Sequence, residues 1–500
     1  MSEQYAISEC RACFSKNLVP IISLGDQYIT NFVDSEEDHK RIPKVPLDLI
    51  ICTDCKILQL RHNATAESMW DEQYWYKSGI STTIKADLKD IVESSLKLAN
   101  LNEKDIIVDI GSNDGTLLSF YDKKFDAVGF EPSKNVANEA KSKGFKVIND
   151  FFNAGSYKKE FGDKKAKLIT AISMFYDLED PNQFLRDIIS VLDKDGLFVI
   201  QQNYLATMLQ YNAFDNICHE HREYYSFTAL RNLLEKHGLE IFDVGQSAIN
   251  GGSIRTYIRK KREKEYTPID PIKRTFEEMG LGVSEIGLSN LGELSLKISL
   301  SKLGNSKNTS LNTLRKSLSK FDLAIEDIEF GENINLYLKL NSSNSIKPFD
   351  GAEKRIRDII SMEEKMELNT MKPYLEFAAR IDKIKSDLLN FLKQEKAKGK
   401  KIWIYGASTR GNVILQYFDL GPDMIEAIAD KNADKYGKKT VGSLIPIFSP
   451  EVMRKANPDY LIVNTWHFFE EIRTQEMEYH KNGGILIAPL PELKIVKYQA

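Results

Sequence analysis

Residues 108–120 read VDIGSNDGTLLSF, and the order of residue types in this stretch indicates the fold class. An apolar strand ends at Asp109, a turn bracketed by two glycines follows, and helix-forming residues come next. The pattern is neither the dinucleotide-binding G-x-G-x-x-G nor a P-loop, because no Gly-Lys-Ser/Thr follows. Glycine lets the backbone approach a ligand closely. The stretch therefore predicts a strand–turn–helix junction that binds a ligand through Asp109, Gly111, Asn113 and Gly115; the alternative is an ordinary tight turn.

Two acidic residues further along the chain indicate which ligand this is. Glu131 ends the next predicted strand in AVGFEPS, where a carboxylate can bind both hydroxyls of a ribose. Asp150 lies near the end of the strand after that, in VINDFF, and suits an adenine amino group. A ligand with ribose and adenine but no pyrophosphate fits S-adenosylmethionine. The order of strand, glycine turn, helix and second-strand glutamate favours a methyltransferase.

Outward from this core, strands and helices alternate over about residues 84–258, which predicts a parallel, doubly wound sheet. A second, smaller α/β unit follows a predicted helix near residue 374, and contains the stretch IYGASTRGN. Its glycine turn enters a helix, a position that can hold phosphate. Gly406, Arg410 and Asn412 are the candidate residues, although a lone glycine turn is often structural.

Five cysteines occur in the 500 residues, and four of them form two C-x-x-C pairs. Such pairs in a cytosolic chain are more typical of zinc ligands than of disulfides. Four thiolates complete a tetrahedral zinc shell, so the site should be structural. The predicted ligands are Cys10, Cys13, Cys52 and Cys55.

Length and composition suggest several domains and exclude some classes of partner. The net charge is −4, so the chain lacks the excess of basic residues that is typical of proteins binding nucleic acids or membrane surfaces. The first ten residues are not a signal peptide and no apolar run reaches a membrane span, so we expect a cytoplasmic protein. The oligomeric state stays open. The expected domains are a zinc-binding domain at 1–70, a methyltransferase domain at 71–260, an insertion of unknown role without recognisable chemistry at 261–370 and a C-terminal Rossmann-like domain at 371–500.

Residues 216–225, NICHEHREYY, hold the most concentrated chemistry outside the glycine turn. If the backbone is extended, His219 and His221 project to one side and Glu220 to the other. Histidine is a natural general base near neutral pH, whereas the plain alternative is a polar loop. Downstream, NGGSIRTY resembles a stretch built for close backbone approach to a polar ligand, and its candidate residues are Asn250, Gly251, Ser253 and Arg255.

Together these motifs resemble the bacterial C-methyltransferases of deoxysugar biosynthesis, which add a branching methyl group to a nucleotide-linked keto-sugar. The resemblance covers about residues 5–258 and 370–495 and rests on the four cysteines, DIGSNDGTLL, HEHREYYS, NGGSIR and IYGASTRGN. It implies an α/β fold with an N-terminal zinc domain, a central class I methyltransferase domain and a C-terminal Rossmann-like domain. By position it implies His221 as the base, next to Glu220, and Tyr76 in YKSGIS as a catalytic tyrosine. Many relatives have tyrosine where this chain has Cys218.

The resulting hypothesis is an S-adenosylmethionine-dependent C-methyltransferase acting on a nucleotide-linked keto-deoxysugar. His221 would remove a proton beside the ketone, Tyr76 would stabilise the enolate, and NGGSIR with the C-terminal domain would hold the nucleotide-sugar. Three alternatives remain: an O- or N-methyltransferase using the same histidine, a non-catalytic assembly protein that binds the cofactor, and a zinc-ribbon nucleic-acid binder, which the acidic balance disfavours.

Overall fold

The computed structural model describes residues 6–70, 74–261, 269–278, 281–288, 295–303, 311–318, 323–330, 334–340 and 346–499. The chain divides into two compact units. The first contains the residues up to Lys260 together with those from Pro348 onward, and the second is Lys261–Lys347. Residues 348–370, which the sequence analysis placed in the insertion, thus belong to the first unit.

The N-terminal part of the first unit is built around an antiparallel sheet. Its elements are β1 (Leu18–Tyr28), β2 (Phe32–Val33), α1 (Glu36–Arg41), β3 (Lys44–Cys52), β4 (Leu58–Leu60) and α2 (Ala66–Met69). The sheet has the order β1-β3-β4 and gains a fourth strand, Glu223–Tyr224, from the 216–225 stretch. A segment distant in sequence is therefore part of this sheet.

The methyltransferase part alternates strands and helices as the apolar pattern predicts. Its elements are α3 (Thr82–Leu98), β5 (Ile106–Ile110), β6 (Asp126–Phe130), α4 (Lys134–Ser142), β7 (Lys146–Ile148), α5 (Ala154–Phe161), β8 (Ala166–Ile172), α6 (Pro181–Val191), β9 (Leu192–Asn203), α7 (Leu205–Gln210), β10 (Glu223–Tyr224), α8 (Phe227–Lys236), β11 (Leu239–Ser247) and β12 (Ser253–Lys260). All five residues of β5 are buried, as expected for the centre of a parallel sheet covered on both faces.

The seven-stranded sheet has the order β11-β12-β9-β8-β5-β6-β7. The strands from β7 to β9 are parallel, which confirms the doubly wound core. β12 is antiparallel to both β9 and β11, so the sheet is mixed, not wholly parallel. The reason is the connection: β11 and β12 are joined by a short turn, and only a crossover of a dozen or more residues can join parallel neighbours. The NGGSIR stretch is this hairpin.

The second unit contains the same arrangement of a helix and two strands in each of its two halves. Its elements are α9 (Ile269–Glu278), β13 (Leu281–Leu288), β14 (Ser295–Leu303), α10 (Leu311–Leu318), β15 (Leu323–Phe330) and β16 (Ile334–Leu340). Each half is a helix followed by an antiparallel hairpin, and β14 pairs with β16 to give the order β13-β14-β16-β15. The outer strands have related sequences, LGVSEIGL and LAIEDIEF. This duplication was not expected from the sequence.

The C-terminal part contains the second α/β sheet. Its elements are α11 (Ala352–Lys365), α12 (Lys372–Ala397), β17 (Ile402–Tyr405), α13 (Thr409–Tyr417), β18 (Ala427–Ala429), β19 (Lys439–Thr440), β20 (Ile447–Phe448), α14 (Pro450–Ala456), β21 (Tyr460–Val463), α15 (Phe469–Gln475), α16 (Met477–Lys481), β22 (Ile485–Ala488) and β23 (Lys494–Val496). The sheet order is β20-β18-β17-β21-β22-β23, parallel except for β23. Among the described residues, no helix combines the length and apolar character needed to cross a membrane.

Candidate active site

The four N-terminal cysteines converge as the sequence predicts. Their sulfur atoms all lie within 4.8 Å of one another. The Cys10–Cys55 and Cys13–Cys52 sulfur pairs are each 3.5 Å apart. A tetrahedron with zinc–sulfur bonds of about 2.3 Å has edges of about 3.8 Å, so the arrangement fits zinc with little adjustment.

The two C-x-x-C turns have the same backbone geometry. The residue after each second cysteine, Phe14 and Lys56, has a φ of 63°. Its N–H donates to the carbonyl oxygen of the first cysteine, Cys10 or Cys52, at 2.9 Å in both turns. The matching turns place the four thiols on one centre, which is the arrangement of a closed, structural zinc site.

A cavity of about 340 Å³ opens at the carboxyl ends of β5, β6 and β8. This volume is in the range of small-molecule sites. Asp109, Gly111, Asn113 and Glu131 line it, so the structure brings together most of the predicted cofactor residues. Gly111 has a φ of 72°, and its N–H donates to the carbonyl oxygen of Phe130 at 2.9 Å, which turns the chain into the cavity.

Glu131 is 5% exposed, and its carboxylate is held by two backbone amides. The N–H of Asn113 donates to Oε2 at 2.9 Å and that of Ser133 donates to Oε1 at 2.8 Å. Burial raises the pKa of Glu131, while these backbone hydrogen bonds lower it. Each oxygen keeps acceptor capacity for a ligand hydroxyl, because a carboxylate oxygen has two acceptor sites. The position and chemistry fit a ribose.

Asn113 also connects the cofactor cavity to the segment that carries Tyr76. Its Nδ2 donates to the carbonyl oxygen of Tyr76 at 3.1 Å, and its Oδ1 accepts from the N–H of Ser78 at 3.0 Å. Tyr76 lines the same cavity, and burial raises its pKa to about 12. Tyr76 is therefore a phenol that stays protonated at neutral pH.

Two of the predicted cofactor residues do not line the cavity. Gly115 has a φ of 79°, and a Cβ there would lie 2.7 Å from the ring of Phe145, so this glycine is required by packing. Asp150 is engaged locally: its oxygens accept from the Phe151 N–H at 2.8 Å and the Ser156 hydroxyl at 2.6 Å. The aromatic rings next to it, Phe151 and Phe152, line the cavity instead, together with Trp70.

In the stretch VINDFF, the sequence analysis selected the charged residue, Asp150, as a cofactor ligand. The two phenylalanines of this stretch line the cavity, and aromatic rings are surfaces on which a planar base can stack. The sequence analysis did not identify Asp177, which follows β8 in a 3₁₀ turn and lines the cavity. Its Oδ1 is buried and has no hydrogen-bond partner in the described part of the chain.

His221 is oriented by its own loop. Its Nδ1 lies 2.9 Å from the carbonyl oxygen of Asn216, and its ring packs edge-on against Tyr176 at 4.4 Å between centroids. A carbonyl only accepts, so Nδ1 carries the hydrogen and Nε2 keeps its lone pair. Burial and the positive charge of Arg410 lower the pKa of His221 to about 3, which keeps the imidazole neutral.

Glu220 and His219 have different surroundings. Burial raises the pKa of Glu220 to about 7, and the hydroxyl of Thr409, at the start of α13, opposes that shift. His219 points into the zinc domain, with Nε2 2.9 Å from the carbonyl oxygen of Val45. Neither Glu220 nor His221 lines the cofactor cavity; their neighbours Asp177 and Arg222 do.

The NGGSIR hairpin and the C-terminal glycine turn meet at Arg410. Its Nη1 donates to the carbonyl oxygen of Asn250 at 2.7 Å, and its Nε donates to Asp215 at 2.8 Å. Trp466 Nε1 donates to the same Asp215 oxygen at 3.1 Å, and a Cβ on Gly251 would lie 2.8 Å from the Trp466 ring. Two motifs about 160 residues apart in the chain are thus in direct contact, and Asn250 also lines the cofactor cavity.

Other predicted substrate residues have structural partners. Arg255 is 8% exposed and pairs with Asp87 at 3.2 Å and Asp90 at 2.7 Å. It therefore braces α3 against the sheet. The Ser253 hydroxyl donates to the carbonyl oxygen of Ile249 at 2.9 Å.

The C-terminal glycine turn itself is tightly built. Gly406 has a φ of 98°, and a Cβ there would lie 2.9 Å from the side chain of Thr465. Asn412 is 1% exposed, and in the described structure neither its Oδ1 nor its Nδ2 has a hydrogen-bond partner. A buried amide without partners is costly, so Asn412 is the residue of this turn that most needs a ligand or ordered water.

Comparison with known proteins identifies three regions of the chain. Residues 10–70 match a zinc-binding domain family, residues 83–244 a methyltransferase domain family and residues 334–491 the C-methyltransferase C-terminal domain family. A relative from Streptomyces niveus, the C-methyltransferase NovU, is 24% identical over 99% of this chain and 98% of its own length. The whole architecture is therefore shared with a C-methyltransferase.

Two solved methyltransferases resemble part of the chain. The plantazolicin methyltransferase BpumL in complex with SAH is 14% identical and covers 35% of this chain and 82% of its own, with a TM-score of 0.28. The mitomycin 7-O-methyltransferase MmcR is 18% identical and covers 36% of this chain and 54% of its own, also with a TM-score of 0.28.

Proposed function

We propose that the substrate of this chain is a nucleotide-linked keto-deoxysugar. The premise is that the chain belongs to the S-adenosylmethionine-dependent C-methyltransferases with a zinc-binding N-terminal domain and a C-methyltransferase C-terminal domain. The observation that supports this most is the Arg410 contact with Asn250. It places the glycine turn of a Rossmann-like domain beside the methyltransferase cavity. A ligand with a nucleotide at one end and a sugar at the other suits such a junction.

The chemistry begins with an acidic C–H next to the ketone. His221 supplies the base, because Asn216 holds the hydrogen on Nδ1 and leaves the Nε2 lone pair free. Glu220, whose pKa is raised to about 7 by burial, is suited to hold the proton afterwards. A carboxyl group with a pKa of about 7 can take the proton from an imidazole that strongly prefers its neutral form.

The enolate that results needs a hydrogen-bond donor at its oxygen. Tyr76 is that donor, since its raised pKa keeps the phenol protonated and the residue lines the cavity. A preorganised donor stabilises charge that develops in the transition state, and such a contact is typically worth about 3 kcal/mol. The backbone of Tyr76 is fixed by Asn113, so the donor is tied to the cofactor turn.

The cavity residues fit S-adenosylmethionine, with Glu131 for the ribose and Phe151, Phe152 and Trp70 for the adenine. When bound, the cofactor supplies an activated methyl group, which the enolate carbon accepts. Asn412 and Arg410 would hold the nucleotide end of the sugar substrate, because one is a buried amide without partners and the other a cation at a helix N-terminus.

The test is His221→Asn with His219→Asn as its matched control. Asparagine removes the basic nitrogen, and general bases typically contribute ~10² to 10⁴-fold in rate. We expect kcat to fall in this range in His221→Asn, with deuterium wash-in at the substrate carbon lost in parallel and cofactor affinity kept. His219→Asn should retain more activity, because His219 faces Val45.

Methylation by His221→Asn at near the parent rate would contradict the enolisation mechanism. A product with the new methyl group on oxygen or nitrogen, identified by NMR from a panel of sugar nucleotides, would instead support the alternative O- or N-methyltransferase. No turnover of labelled cofactor with any keto-sugar would favour the non-catalytic alternative.

A further inference from the structure

Two groups of metal-ligand side chains stand out in the part of the chain that the structure describes. In each, three or more ligand atoms from His, Cys, Asp or Glu lie within 4.8 Å of one another. One is the centre formed by the four N-terminal cysteines. The other consists of Cys218, Glu220 and His221 in the 216–225 loop. All five cysteines of the chain therefore belong to one of the two groups.

The second group has the composition of an open zinc site. Thiolate sulfur, imidazole nitrogen and carboxylate oxygen are all zinc ligands, and three protein ligands leave the fourth position of the tetrahedron free. A sulfur ligand beside an imidazole selects zinc and other soft or borderline cations over magnesium or calcium. Cys218 is the member that decides this preference, since glutamate and histidine alone are less selective.

The surroundings of these side chains satisfy a second requirement of metal sites. A metal-bound histidine almost always donates its other ring N–H to a carbonyl or carboxylate, which orients the ring. His221 does this through Nδ1 and Asn216. The imidazole is thus oriented by a contact that a metal on its other nitrogen would not disturb.

Charge balance supports a cation at this position. Cys218 is 1% exposed, and Glu220 has no ion-pair partner among the residues described. Arg410 is paired with Asp215 at 2.8 Å. Asp177, which interacts electrostatically with both Glu220 and Cys218, adds a further carboxyl with a buried oxygen lacking a partner. A divalent cation would neutralise a thiolate and a carboxylate at once.

We propose that Cys218, Glu220 and His221 form a second metal site, which takes a soft divalent cation such as Zn²⁺. It is separate from the structural centre and goes beyond the proposed function. Because the metal would occupy the His221 lone pair, the loaded protein cannot use that nitrogen as a base. The site therefore acts as a reversible, metal-responsive brake on whatever reaction the histidine serves.

The experiment counts zinc in the full-length protein and needs no sugar substrate, so it stands if the substrate proposal fails. Protein holding one tightly bound zinc is titrated with Zn²⁺ and the bound ions are counted by native mass spectrometry. We expect two zinc ions per chain in the parent and one in Cys218→Ser. His39→Asn, which changes a histidine outside both groups, should keep two.

The zinc retained by the four N-terminal cysteines reports that Cys218→Ser is folded; if it is lost, Glu220→Gln provides the same test with a side chain of equal size. One zinc in the parent at saturation, or two in folded Cys218→Ser, would overturn the proposal. If the substrate proposal is right, the second equivalent should also suppress deuterium wash-in, and a chelator should restore it.

Discussion

Nε2 of His219 lies 2.9 Å from the carbonyl oxygen of Val45, which joins the 216–225 loop to the strand that ends at the zinc ligand Cys52. Two further contacts follow the same course. β10 pairs with β4, and the N–H of Leu60 donates to the carbonyl oxygen of Arg222 at 2.9 Å. The zinc domain therefore contacts and positions the loop that carries the proposed base, His221. The metal should accordingly affect the position of this loop as well as local folding.

Loss of the structural zinc should affect both folding and the loop. In Cys52→Ser we expect loss of one zinc per chain and a lower melting temperature, because structural zinc contributes folding free energy directly. Amide hydrogen exchange should increase in residues 216–225 as well as around the cysteines. A metal-free protein that folds normally, with an unchanged exchange pattern in the loop, would contradict the assignment.

Glu131 and Asp150 provide a matched pair of carboxylates for the cofactor site. Glu131→Ala should weaken S-adenosylmethionine binding, because hydrogen bonds to a charged acceptor are worth about 1.5–3 kcal/mol, or roughly 10 to 150-fold in affinity. Asp150→Ala should leave the affinity nearly unchanged, since Asp150 does not line the cavity. Calorimetry of both variants checks this. Equal losses would mean that the aromatic wall depends on Asp150, and no loss in Glu131→Ala would remove its ribose role.

The insertion should be dispensable for cofactor binding. The compact second unit is Lys261–Lys347, so a deletion that joins Lys260 to Pro348 through a short flexible linker removes it whole. All residues lining the cofactor cavity lie outside this range. We expect the deletion variant to keep its affinity for S-adenosylmethionine, measured by calorimetry. A well-folded variant that has lost the affinity would show that the insertion completes the site.

Asp109 should make the unliganded protein less stable as pH rises toward neutrality. Burial raises its pKa to about 7, while the Thr170 hydroxyl, 2.7 Å away, partly opposes this. Between the unfolded pKa near 4 and the folded value, the folded state binds more protons at Asp109. The contribution of this residue to stability is therefore fully present below about pH 4 and is lost as pH rises toward 7, by at most about 1.4 kcal/mol per pH unit. Asp109→Asn should remove this contribution to the slope in chemical denaturation between about pH 4 and 7. An identical slope in the variant would rule out Asp109 as its source.

The local sequence was sufficient where short-range spacing decides the chemistry. The two C-x-x-C turns predicted the zinc ligands, because each turn places its own pair and four thiolates complete a shell. The stretch at 108–120 and Glu131 predicted the cofactor cavity, since the carboxyl ends of neighbouring parallel strands meet at one edge of a sheet. The helix predicted near residue 374 is α12, in which Phe377, Ile381 and Leu388 are buried.

Only the tertiary structure decided what each polar side chain faces. Arg255 and Arg410 both lie in glycine-containing motifs, yet one is neutralised by Asp87 and Asp90 and the other joins two domains through Asn250 and Asp215. Pairing of this kind depends on residues more than 100 positions apart, which no local pattern records. The same reason explains why His219 is an anchor in the zinc domain while His221 keeps a free nitrogen: alternation along the loop predicts one side for both, but the partners, Val45 and Asn216, are supplied by the fold.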